Sequence, residues 1–230
     1  MGGLFGCRPF QNPGVREVIE SLSNAAPMHV ETVRRAILRN TPMSRKAQIK
    51  AAHHLLGVSP GTAVTGFPPG SVTGGTSHAG DATATAAQAG AHKAYQDLVA
   101  EPCGTNLTGK TLGTSPGAVT LSPGVYCFDS SAQLTGTLTL SGSGVYVFKI
   151  GSTLTTASKS SVVLAKGATA GNVFWQVTSS ATLGTNTAFE GSIVAMISDT
   201  VTTGASVSGR VIALTGSVTL SGNRIRAASK

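Results

Sequence analysis

From residue 105 onward, apolar and hydroxyl-bearing side chains alternate in short runs closed by Gly or Ser. Alternation of period two predicts strands that bury one face. The segments VYVFKIGSTLTTASKSSVV, NVFWQVTSSATLGTNTAFEG, SIVAMISDTVTTGASVSG and RVIALTGSVTLSGN lie beneath one another as a ragged repeat. Its period of about 18 to 27 residues is that of stacked coils, none of which can bury its apolar face alone. The pattern therefore predicts a β-solenoid, with a few short strands per coil, parallel and in register from coil to coil.

Alternation assigns Leu138, Leu140, Leu154, Ala181, Leu183, Val201, Val218 and Leu220 to the interior. Thr137, Thr139, Thr153, Thr155, Ser180, Thr182, Thr200, Thr202, Ser217 and Thr219 then face outward. Outward neighbours on one strand would stand about 6.6 Å apart and equivalent residues on adjacent coils about 4.8 Å apart. The expected surface is a flat grid of hydroxyls and methyls, pre-ordered because the branched threonine Cβ restricts χ1. Threonine suits any strand, but an ordinary exposed sheet mixes Lys and Glu into its face, and these positions hold neither.

Residues 79–101, AGDATATAAQAGAHKAYQDLVAE, are the strong helix signal of this region, with Asp81 near the start and Pro102 past the end. Ala84, Ala87, Ala91, Ala94 and Leu98 form a stripe of mostly small side chains, suited to lying close against a flat partner. His78, just before it, reads as a capping or packing residue, and His92 and Lys93 as solvated neighbours. Before residues 54–57 the text changes: VREVIESL and VETVRRAIL carry a helical period in an Arg-rich, Pro-interrupted setting. The expected division is 1–54, a basic and partly helical or disordered segment, and 55–230, the solenoid domain.

Charge narrows the functional classes. Charged residues are 11% of the chain, against about a quarter in ordinary domains. The net charge of +8 is concentrated at the front, where residues 1–54 carry eight Lys/Arg against three Glu. The solenoid region has no basic stripe interleaved with aromatics, so nucleic acid is not an expected partner. Its acids, Asp81, Asp97, Glu101, Asp129, Glu190 and Asp199, are dispersed, which disfavours the paired carboxylates or metal ligands of solenoid lyases and hydrolases. No apolar run is long enough to span a membrane, and no apolar signal-peptide core is visible at the N-terminus. Cys103 and Cys127 are either bridged, implying an oxidising compartment, or two buried thiols.

The segments LGVSPGTAVTGFPPGSVTGG, PCGTNLTG, LSPGVYCF, AQLTGTLTL, GSTLTTASKSSVVL, NVFWQVTSSATLGTNTAFEGSIVA and VSGRVIALTGSVTLSGN, in that order, resemble the microbial ice-binding (antifreeze) proteins. The likeness covers about residues 55–225. It implies a mostly β fold: a right-handed discontinuous β-solenoid of triangular cross-section with one long α-helix packed alongside. It further implies a secreted, non-catalytic monomer, without cofactor or metal, that adsorbs to ice through a flat face. Val147 and Phe174 would face the helix, while Phe148, Trp175, Ile150 and Val177 would point inward.

The grid above is the expected ice face. A rival follows it in each coil, Ser158, Ser160, Thr185, Thr187 and Ala205, because TAS at 156–158 and TGAS at 203–206 partly match the family's loose Thr-Ala/Gly-x-Thr/Asn pattern. The alternative function is a non-catalytic cell-surface or carbohydrate-adhesive solenoid, disfavoured because alternation turns most aromatics inward. Residues 1–54 lack the additional strands with which that family begins. They read as an alternative N-terminus, a mitochondrial-type presequence, or upstream sequence in a wrong frame or from a wrong exon.

Overall fold

The computed structural model describes residues 30–32, 50–52, 55–67, 70–73 and 75–228. Each full coil contributes one strand to each of three parallel sheets, so the solenoid has three faces. The first face is five-stranded: Ala132–Leu134, Leu154–Thr156, Ala181–Leu183, Asp199–Val201 and Val218–Leu220. The second is six-stranded and runs from Thr105–Asn106 through Gly124–Phe128, Tyr146–Ile150, Val173–Val177 and Ser192–Ala195 to Val211–Ala213. The third is eight-stranded and includes Thr120–Leu121, Thr137–Ser141, Ser161–Ala165, Ala188–Glu190, Ser206–Ser208 and Arg224–Arg226.

The stacking is discontinuous. Lys50–Ala52 pairs with Arg224–Arg226, and Ser71–Thr73 pairs with Lys50–Ala52, so early segments of the chain sit beyond the last coil. With Lys50–Ala52 and Ser71–Thr73 at that end, the chain must cross to the other before coiling back. The helix Ala82–Ala100 makes the crossing: nineteen residues at 1.5 Å rise span about 28 Å, enough to pass six strands about 4.8 Å apart. Ser77–Ala79 is a strand, so the helix begins at Ala82 rather than at the expected residue 79. Val30–Thr32 and Lys50–Ala52 are likewise strands, paired with Leu55–Val58 and with Arg224–Arg226. The sheets therefore extend upstream of the expected boundary at 54/55, and VETVRRAIL does not begin as a helix. VREVIESL lies outside the described residues.

The helix starts where Asp81 accepts the Ala84 N–H at 2.8 Å, an N-cap bond that satisfies one of the orphan donors of the first turn. That bond, with His78 beside it, holds the Asp81 carboxyl below its ordinary range. Thr76 Oγ1, His78 and Asp81 form a hydrogen-bonded chain, His78 Nδ1 lying 2.5 Å from Asp81 Oδ2, which makes His78 a buttress of the cap. At the other end, Lys149 reaches from the second face and donates to the carbonyls of Val99 (2.8 Å) and Glu101 (2.5 Å). A cation there complements both the unpaired carbonyls and the helix dipole. Ala91, Ala94, Tyr95 and Leu98 pack on Val147, Phe174, Val194 and Ile212, so Val147 and Phe174 do face the helix. Gln88 adds a buried bond to the Leu214 carbonyl. Ala94 has no exposed surface, so Ala94→Leu is expected to destabilise the fold by about 1–3 kcal/mol through overpacking. A denaturant midpoint unchanged from wild type would contradict close docking.

Inside the triangle, Tyr126, Phe148 and Trp175 stack on successive coils, with centroids 5.5 Å and 3.8 Å apart. Phe189 closes the group against Trp175. Ile150 and Val177 are interior too, as the resemblance implied. At the corner between the third and second faces, Gly191 and Gly209 hold positive φ (107° and 153°) on adjacent coils. A Cβ on Gly209 would collide with the Gly191 carbonyl oxygen, so only glycine lets the coils close there. Cys103 and Cys127 are joined by a disulfide, with Cα atoms 5.9 Å apart. It ties the loop after the helix to the second face.

Candidate functional site

Among the described residues, the helix covers the second face and leaves the other two open to solvent. On the first, alternation sends one side chain per three-residue strand outward, and register aligns them: Gln133, Thr155, Thr182, Thr200 and Thr219. Their strand neighbours, such as Leu154, Leu183, Val201 and Val218, are buried. Continuing the register by one outward position on each side gives Ser131, Thr153, Ser180, Ser198 and Ser217 before this column, and Thr135, Ala157, Gly184, Thr202 and Ser221 after it. Five rungs and three columns make a plane of about 19 by 13 Å. No charged residue stands in it.

The flanking hydroxyls, Ser217 apart, are tied down. Ser131 and Thr153 bond each other at 2.8 Å, Ser198 Oγ accepts the Ser217 N–H at 3.1 Å, and the Thr202 hydroxyl donates to the Leu183 carbonyl at 2.7 Å. The centre differs. Among the described residues, the hydroxyls of Thr155, Thr182, Thr200 and Thr219 have no protein hydrogen-bond partner, so their donor and acceptor capacity points at solvent on a fixed lattice. A surface of this kind can order water, and none of its side chains is a His, Cys, Asp, Glu, Lys or Arg. Among the described residues, no group of three or more His, Cys, Asp or Glu could hold a metal ion.

Eight of the ten residues expected in the grid lie there: Thr153, Thr155, Ser180, Thr182, Thr200, Thr202, Ser217 and Thr219. Thr137 and Thr139 do not. Their strand pairs with Ser161–Ala165 on the third face, and the rung they were to occupy is filled by Ser131, Gln133 and Thr135. In AQLTGTLTL two alternations run in succession, Ala132/Leu134 and Leu138/Leu140, with a corner between them. Period two cannot tell one face from the next.

The rival face is a corner rather than a plane. Ser160, Thr187 and Ala205 are buried, with the Ser160 hydroxyl donating to the carbonyls of Leu134 and Ala157 and Thr187 bonded to Thr156 at 2.9 Å. Asn223 occupies the next coil's equivalent position, its amide donating to the carbonyls of Thr202 and Ala205. Ser158 and Thr185 are exposed on the turn itself. Lys159, Asn186 and Gly204 turn this corner at positive φ, which pushes their predecessors outward and their successors inward.

One acid sits directly beneath the plane. Asp199 points inward between Ala181 and Val218, and neither carboxylate oxygen has a partner. Burial raises its pKa well above the ordinary carboxylate value. The unfolded chain therefore releases the Asp199 proton at a lower pH than the folded protein does, and stability falls as pH rises above about 4. Asp199→Asn, of equal size and without the charge, is expected to flatten that slope. It should raise the thermal midpoint at pH 7 by at least about 2–4 °C, the shift given by 1 kcal/mol in a domain of this size. A midpoint lowered at every pH would contradict an uncompensated buried carboxyl.

With this geometry in view, residues 46–226 match the Ice-binding-like family. The ice-binding protein of Nostoc sp. (strain HG1) is 49% identical over 175 residues, 74% of this chain and 63% of that protein. Ice-binding protein 1 of Shewanella frigidimarina is 39% identical over 142 residues, 59% of this chain and 16% of that protein. Among solved structures, the ice-binding protein of the Antarctic ascomycete Antarctomyces psychrotrophicus superposes with a TM-score of 0.78 at 34% identity, covering 91% of this chain and 98% of that one. An ice-binding protein from an Antarctic biological consortium gives 0.76 at 35% identity, covering 90% of each chain.

Proposed function

The chain belongs to the Ice-binding-like family, and from that premise we propose that it adsorbs to ice crystals through the first face and thereby inhibits their growth or recrystallisation. The observation that carries this reading is the column Thr155–Thr182–Thr200–Thr219, in register and with uncommitted hydroxyls. Contacts to single water molecules are weak. Summed over a rigid plane whose lattice is fixed by the coil spacing, they amount to adsorption. The site residues are those of the three columns, with Thr182 and Thr200 at the centre, and the function requires neither cofactor nor catalysis.

The disulfide Cys103–Cys127 supports an oxidising, extracellular setting, and no helix among the described residues is long and apolar enough to cross a membrane. A carbohydrate-adhesive role is less well supported. The described aromatics, the half-buried Phe67 apart, are buried, so no stacking platform is on offer. Partition into slowly growing ice tests the proposal. The protein is expected to be enriched in the ice fraction while a non-binding globular protein of similar size is left in the liquid. Equal exclusion of both would refute it.

A further inference from the structure

The third face changes character along its length. At the end that receives the last coil it carries the exposed Arg224 and Arg226. Arg226 Nε donates to Ser208 at 2.9 Å, and Glu190 bonds Ser208 and is drawn toward Arg226, so its carboxylate is directed to that end. The other half is uncharged. Thr137–Ser141 and Ser161–Ala165 pair through all five residues, a longer match than any on the first face. Their outward side chains are Thr137, Thr139 and Ser141 opposite Ser161, Val163 and Ala165, with Thr120 beside Thr139 and Ala188 beside Ser161.

Three features point to the occupant. Thr137 and Ser161 bond hydroxyl to hydroxyl across the rung at 2.9 Å, as Ser131 and Thr153 do at 2.8 Å on the first face. Val163, at the middle of the array, leaves an aliphatic side chain 43% exposed where a soluble sheet would place a charge. The spacings are those of the first face, about 4.8 Å across coils and 6.6 Å along strands. Uncharged within its two paired strands and mixed hydroxyl-methyl, with Glu190 next to Val163 in the continued register and Lys166 beyond Ala165 at its rims, the patch repeats the chemistry of the first face. Lys159 stands exposed on the corner between them, so the two are separate surfaces with different orientations.

We infer that the Thr137–Ser141/Ser161–Ala165 half of the third face is a second ice-adsorbing surface, engaging crystal planes the first face does not. The inference rests on the ice-binding reading of the first face. Its test is staining of a single-crystal ice hemisphere by fluorescently labelled protein in three forms: wild type, Thr182→Tyr/Thr200→Tyr, and Thr139→Tyr/Val163→Tyr, with Val163→Lys as a second disruption of the same patch. The first-face variant is expected to keep staining on a subset of the wild-type planes, and both third-face variants to lose that subset while retaining the rest. Third-face variants that stain as wild type while the first-face variant loses all staining would overturn the second surface and leave the first intact. Wild-type staining by every variant would overturn both.

Discussion

Trp175→Ala is expected to lose about 3–5 kcal/mol, the range for deleting a large aromatic from a core. Trp175 has no exposed surface, lies 3.8 Å centroid to centroid from Phe148 with planes 8° apart, and meets Phe189 at 4.9 Å. Its Nε1 also donates to the Glu190 carbonyl at 3.1 Å, pinning the corner beside the third face. Neighbouring coils are held at the strand spacing by hydrogen bonds, so they cannot collapse into the void, and the cavity cost stays close to its maximum. Against a typical domain stability of about 5–15 kcal/mol, the loss is a large fraction of the whole. Trp175→Phe separates the contributions: it keeps an aromatic in the stack and removes the indole donor, at a cost nearer 1 kcal/mol for the bond, plus a smaller cavity. Chemical denaturation followed by circular dichroism measures both. An alanine variant within about 1 kcal/mol of wild type would mean that the aromatic stack does not hold the coils together.

That stack is legible in the sequence because inward aromatics recur at equivalent places in successive repeats. Period two puts Phe148 opposite Val147 and Trp175 opposite Phe174, and the family resemblance says which of each pair points inward. What alternation cannot supply is the position of a corner. A corner is made by backbone conformation, at Lys159, Asn186 and Gly204 on successive coils, and with a different residue type at each the turn is not a repeated sequence signal. The corner side chains Ser160, Thr187 and Ala205 therefore read as one more outward run, although the turn rotates them into the core. The same ambiguity places Thr137 and Thr139 one face too early. The discontinuity is invisible for another reason: strand pairing between Lys50–Ala52 and Arg224–Arg226 joins opposite ends of the chain, which no local pattern can encode. With Thr200 outward, period two turns Asp199 inward as well; what the run does not reveal is that its carboxylate finds no partner there.

The second large effect is on activity. Thr182 and Thr200 are register partners at the middle of the first face, and both project from strands whose other side chains are buried. Tyrosine at both positions stands above the plane by most of a ring, and a rigid crystal cannot bend around it, so the residues on either side are lifted off the ice as well. Each 1.4 kcal/mol taken from the adsorption free energy is a factor of ten in the equilibrium, and separating half the plane exceeds that. The fold has little reason to respond, since outward substitutions usually stay within about 0.5 kcal/mol. Gln96→Tyr, on the exposed side of the helix, adds the same ring on another side of the solenoid. Thermal hysteresis of the three proteins at equal concentration is the most direct test of adsorption through the first face. Thr182→Tyr/Thr200→Tyr should lose at least about tenfold with an unchanged unfolding midpoint while Gln96→Tyr matches wild type; a folded double variant with wild-type hysteresis would contradict it.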